Sequence, residues 1–135
     1  MVATPSVVLL VDVANVMGSR PDGWWRDRAG AATRLLAELA PLAGAAVRSP
    51  DGVELVVSRV LAVLEGRARD AQAPDGVEAV RATADGDSTV VALAADLVAA
   101  GQLVLVVTAD RGLRASLPGA ALVAGPRWLL AGPAR

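Results

Sequence analysis

Apolar residues run without a break from Val7 to Val11 and stop on Asp12. Similar blocks recur at Arg59–Glu65, Val77–Arg81, Leu103–Thr108 and Ala121–Ala124. They are continuous rather than alternating, the pattern of parallel strands covered on both faces. The period changes between them. Asp27–Ala40 places Ala32, Leu35, Leu36 and Leu39 on one helical face and meets Pro41. Ser88–Ala100 repeats Val90, Leu93, Ala94 and Leu97 at helical spacing, with Gly101 in the C′ position. Arg111–Ser116 and Pro126–Leu130 predict two short helices or turns. Residues 44–52 and 66–76, rich in Gly, Pro and Asp, predict loops. Val53–Val57 fits either an added strand or the start of a longer Val53–Leu64 hairpin. Strand alternating with helix predicts a parallel α/β sandwich whose sheet has four to five strands.

With 135 residues, no repeat and no linker-like stretch, the chain is expected to form one domain over 1–135. Its 54% hydrophobic content argues against disorder. Phe, Tyr and Ile are absent, so Ala, Val and Leu must build the core. All 13 basic residues are arginine, which with the Ala and Gly content suggests a GC-rich bacterial genome. The net charge of −1 gives no global attraction to polyanions, so any such site must be a local patch. The first apolar run is too short for a membrane span or a signal peptide and lacks a basic leader. The absence of cysteine is compatible with a cytoplasmic location.

These absences also exclude chemistry. Without His or Cys there is no ordinary zinc site and no Ser-His-Asp triad. Without Lys there is no Walker A loop and no Schiff base. Carboxylates remain, and at neutral pH they bind hard cations. Their positions are not scattered. Asp12 ends the first strand, Glu65 the second, Asp85 and Asp87 follow the third, and Asp110 follows the fourth. In an open parallel sheet these ends share the edge where ligands bind. Each acid has a plainer reading: Asp87, Ser88 or Asp110 as a helix cap, and Glu65 as a loop charge. Asp12, at the end of an apolar run, is harder to read that way. Clustered like charges are readily tolerated when a cation neutralises them, and Mg²⁺ or Mn²⁺ suits an all-oxygen site.

"LLVDVAN", "AVLEG", "ADGDSTVVALAADL" and "VLVVTADRGLR" together resemble the PIN-like nuclease superfamily, in its NYN-type branch of bacterial ribonucleases. The resemblance covers nearly the whole chain in order. It implies a three-layer α/β/α sandwich, an acidic Mg²⁺ or Mn²⁺ site, and single-stranded or structured RNA as substrate. By motif position Asp12, Asn15, Asp87 and Asp110 match the catalytic set. Asp12, Asp87 and Asp110 would hold metal, aided by Glu65 and Asp85. The sequence departs from the family at Ser88, where relatives often carry a second acid.

Beside Asp12 lies "GSRPDGWWRDR". Arg20, Arg26 and Arg28 are expected to engage phosphates, with Arg111 and Arg114 extending the basic rim and Ser88 contributing to binding. Trp24 or Trp25 is expected to stack on an unpaired base, with Trp24 taken as the site residue and the other as a core anchor. Trp128 is expected to pack. A metal-dependent endoribonuclease leads. A non-catalytic RNA- or partner-binding module, a toprim-like domain using Glu65, Asp85 and Asp87, and a nucleotide phosphohydrolase remain open. So does the oligomeric state, a homodimer included.

Overall fold

The computed structural model describes residues 3–134. Its strands are β1 (Ser6–Asp12), β2 (Ala46–Arg48), β3 (Glu54–Leu64), β4 (Val77–Arg81), β5 (Val104–Val107) and β6 (Leu122–Ala124). They form one sheet in the order β2-β3-β1-β5-β6, with β4 also paired to β3. Only the β2–β3 pairing is antiparallel. The helices are α1 (Val13–Gly18), α2 (Arg28–Leu39), α3 (Gly86–Ala99), α4 (Arg111–Ser116) and α5 (Pro126–Leu130).

The unbroken apolar run of β1 is explained by what covers it. Successive side chains leave a strand on opposite faces. Val7, Leu9 and Val11 join a core with Val16 of α1, Leu35, Leu36 and Leu39 of α2, and Leu129 of α5. Val8 and Leu10 join a second core with Val90 and Ala94 of α3 and Leu113 of α4. The protein is therefore a three-layer α/β/α sandwich. No helix among the described residues is long and apolar enough to cross a membrane.

Three details differ from the expectations. The sheet has six strands rather than four to five. The extra strand, β2, lies inside the stretch read as a loop, because it is three residues long and only Val47 is buried. It forms a hairpin with Glu54–Val56 around Gly52 (φ +84°), so Glu54–Val57 is the beginning of one eleven-residue strand and Val53 stays in the turn before it. That strand carries a bulge. The register with β1 skips Ser58 between Val57 and Arg59, and the Ser58 hydroxyl donates to the Val7 carbonyl at 3.2 Å. The second difference is α1, a six-residue helix that begins immediately after Asp12 and that the apolar pattern did not mark.

The third is the start of α3. It opens at Gly86, and its cap is Asp85 rather than Asp87 or Ser88: the Asp85 carboxylate accepts from the Ser88 amide at 2.7 Å and its hydroxyl at 3.1 Å. The far end matches the expectation. Gly101 (φ +81°) donates to the Val98 carbonyl and Gln102 to the Leu97 carbonyl, a Schellman closure.

The chain moves outward from β1 through β3 to β4, then returns to the opposite side of β1 for β5 and β6. The strand order reverses between β1 and β5, where open α/β sheets form ligand crevices.

Candidate active site

Asp12 stands at this reversal. It is only 4% exposed and caps α1, its Oδ1 accepting from the Asn15 amide at 3.3 Å. Its Oδ2 accepts from the Thr108 hydroxyl of the β5 end at 2.9 Å. Thr108 is wholly buried, and its oxygen also accepts from the Asp110 amide at 3.2 Å. Asn15 completes the seam, its side-chain carbonyl accepting from the Ala109 amide at 2.8 Å. The β1 and β5 ends are thus joined by side-chain-to-backbone and side-chain-to-side-chain hydrogen bonds. In this role Asn15 ties α1 to the loop between β5 and α4. Thr108 was not singled out from sequence, although a lone hydroxyl between an apolar strand and an aspartate was visible there.

Burial pushes the Asp12 carboxyl above its ordinary range. The bonds from Thr108 and Asn15 oppose that shift, and the charges of Asp87 and Glu65 add to it. Asp87 is also raised, by desolvation and then by Asp110, Glu65 and Asp85. The strand-end acids therefore share one electrostatic field. They are not all equivalent. Asp85, fully engaged with Ser88, is held below the usual carboxylate range by those bonds. Asp110 caps α4, its Oδ1 accepting from the Leu113 amide at 2.9 Å. Glu65 accepts from the Gly86 amide at 2.5 Å, tying the end of β3 to the start of α3. Because Asp85 does the capping, Asp87 projects from the first turn of α3 without that duty.

Among the described residues, no three acids gather closely enough to hold one ion together as they stand. The Asp12 carboxylate is held by α1 and Thr108, that of Glu65 by the Gly86 amide, and those of Asp85 and Asp110 by the helix starts they cap. The donor chemistry nonetheless suits Mg²⁺, which takes one or two carboxylates and keeps several waters.

The expected basic rim is only partly present. The Arg20 guanidinium is 2.7 Å from Glu38 and lines an apolar recess with Leu39, Leu42 and Leu129, away from the acids. Arg114 donates twice to the Thr108 carbonyl, at 2.9 and 2.6 Å, so its fork braces the end of β5. Arg26 and Arg111 are exposed, and Ser88 lines a recess with Asp87 between α3 and α4. The packing of the tryptophans is the reverse of that expected. Trp24 packs against the core of α1 and α2, while Trp25 is 55% exposed. Trp128 is partly buried and donates its indole N–H to the Arg48 carbonyl at 2.9 Å.

No family model and no curated protein sequence matches the chain. Solved structures do. Rae1 (YacP) from Bacillus subtilis superposes with a TM-score of 0.64 over 92% of this chain and 71% of that one, at 20% identity. Its W164L mutant gives 0.64 over 92% and 72%, at 21% identity. This chain has the fold of that protein.

Proposed function

We propose that the protein is a metal-dependent nuclease of the PIN-like, NYN-type kind, an endoribonuclease that hydrolyses RNA phosphodiester bonds at its acidic edge. The observation that carries this reading is Asp12: a buried carboxylate at the strand-order reversal, fixed by Thr108 and Asn15 and facing the charges of Asp87 and Glu65. A protein without use for that charge would lose little by placing a neutral residue there. Mg²⁺ or Mn²⁺ held by Asp12, Asp87 and Asp110, aided by Glu65 and Asp85, would supply an activated water and offset the charge that develops on phosphate.

The chain's own groups have separable duties. Thr108 and Asn15 hold the Asp12 carboxylate and the β5–α4 loop in register. The Glu65–Gly86 bond sets the height of α3, and so of Asp87. Arg111, exposed at the first position of α4 beside Asp110, is placed to receive a phosphate. A toprim-like assignment would leave the central, buried Asp12 idle.

The test is cleavage of a broad panel of RNAs by purified protein with Mg²⁺ or Mn²⁺, with the Asp12→Asn protein as control. Equal activity of the two would sink the proposal. One observation favours the alternative, an RNA-binding module without turnover: the acids do not gather three at a time. RNA binding indifferent to EDTA, with no product under any metal, would establish that alternative instead.

A further inference from the structure

Beside the acids lies a second feature, the surface pocket bounded by the Trp25 loop and the turn that follows β3. Its volume is about 590 Å³, within the range of about 300–1,000 Å³ usual for small-molecule sites. Trp25, Arg26, Arg28, Gly66 and Arg67 line it, and Asp27 and Asp70 also face it. Asp27 is engaged at the start of α2, accepting from the Gly30 amide at 2.9 Å.

The indole is held in place. Trp24, seated on the core, meets Trp25 edge to face with centroids 5.9 Å apart and planes at 88°. The Arg28 guanidinium lies 5.4 Å from the Trp24 ring, and that of Arg26 lies 5.7 Å from the Trp25 ring. Opposite, Gly66 (φ +56°) turns the chain sharply after Glu65 and delivers Arg67 to the pocket. A neighbouring cavity of about 320 Å³ shares Arg28 and Gly66 with this one and is lined by Trp24 and Glu65. The two cavities therefore adjoin, and the second is bordered by Glu65 of the acidic edge.

We propose that the pocket around Trp25, Arg26, Arg28 and Arg67 is a nucleotide subsite that takes an unpaired base of single-stranded RNA, stacked on the Trp25 indole with its phosphates on the arginines. The inference rests on the RNA reading of the adjacent acids and sharpens it. A base within a duplex is already stacked on its neighbours, so the pocket selects unpaired strands.

Binding is measured in EDTA, by fluorescence anisotropy of a labelled twelve-nucleotide oligouridylate, so that cleavage plays no part. Trp25→Ala is expected to weaken binding about ten-fold, while Trp25→Phe keeps most of the affinity. Arg67→Ala is expected to lower the slope of log Kd against log salt by about 0.7, the value for one phosphate on a single strand. An RNA duplex should bind more weakly than the single strand. Unchanged affinity of Trp25→Ala with unchanged melting, equal affinity for the duplex, or no binding by the wild type would each overturn the subsite. The two proposals fail separately. Cleavage with Mn²⁺ alongside unaffected Trp25→Ala binding removes the subsite alone. Trp25-dependent binding without cleavage under any metal removes the nuclease alone.

Discussion

The two arms of the acidic edge are built on different plans. At β1 and β5, Asp12 and Thr108 are buried, and with Asn15 they form a chain of hydrogen bonds that reaches the backbone of Ala109 and Asp110. At β3 and β4, Asp85 and Asp87 are exposed and Glu65 is half-buried, and the main tie is one backbone amide, that of Gly86. The buried arm fixes position, and its cost is the desolvation of Asp12. The exposed arm supplies charge that solvent largely screens. The proposed cation centre would draw on both, a fixed buried carboxylate and the exposed ones beside it.

The largest effect should follow from discharging the buried arm. Asp12→Asn keeps one oxygen for the α1 cap and turns an amide N–H toward the Thr108 oxygen, yet cleavage should fall by about two orders of magnitude or more. Stability should move the other way. A carboxyl whose pKa is raised by folding holds its proton longer in the folded chain. Its contribution is therefore most favourable below the unfolded value and is lost as pH rises through the folded one. The metal-free wild type should lose stability over that window, just above the ordinary carboxylate range, and Asp12→Asn should not. Melting curves from pH 4 to 8 in EDTA check both. A mutant that is less stable than wild type at pH 7 would make Asp12 structural.

Thr108→Val breaks the same arm while keeping every charge. It removes a donor from a buried carboxylate and an acceptor from the Asp110 amide. The expected cost is about 1–3 kcal/mol, the penalty of an unsatisfied buried group. The Asp12 carboxyl should rise further, because the Thr108 bond is the larger of the two that hold it down. The acid limb of the cleavage profile should then move to higher pH. Thr108→Ser should restore both stability and profile. If Val matches wild type in both, the seam has no energetic role.

The contrast between the arms also explains what could be read in the sequence. Parallel strands buried on both faces print themselves as unbroken apolar runs, so β1 and β5 were visible to within a residue or so; β4 was read over its full length although only Val77 of it is buried, and the end of α3 was marked by Gly101. β2 escaped because a three-residue edge strand with one buried side chain carries no period. α1 escaped because a helix of six residues set against the strand end shows less than two turns of pattern. The acids could be placed on one edge from their order alone. Which of them cap and which project could not, since Asp85, Asp87 and Ser88 all suit a helix start and only backbone geometry selects Asp85. The arginines were least legible. Arg20 and Arg114 find internal partners, Glu38 and the Thr108 carbonyl, that no sequence pattern marks, whereas Arg67 sat unremarked in a predicted loop.

The smallest expected effect tests the exposed arm through Gly86. This residue is buried, and a Cβ added there would lie 2.9 Å from the Glu65 Oε2 and 3.1 Å from its carboxyl carbon. The carboxyl group must move aside, and the 2.5 Å bond to the Gly86 amide lengthens or breaks. Alanine favours the helix over glycine by up to about 1 kcal/mol, which offsets much of that loss, so stability should change by less than about 1 kcal/mol. Activity should respond more. Glu65 contributes to the charge felt by both Asp12 and Asp87, and a displaced Glu65 relaxes the upward shift of both. Cleavage by Gly86→Ala should therefore drop several-fold while its acid limb moves to lower pH, opposite in sign to Thr108→Val. Opposite displacements of two pH profiles, from substitutions on different arms, require Asp12 to feel both arms at once. Displacements in the same direction, or none for Gly86→Ala, would mean that Glu65 and Gly86 merely tie β3 to α3 and that the working site lies on the β1–β5 seam alone.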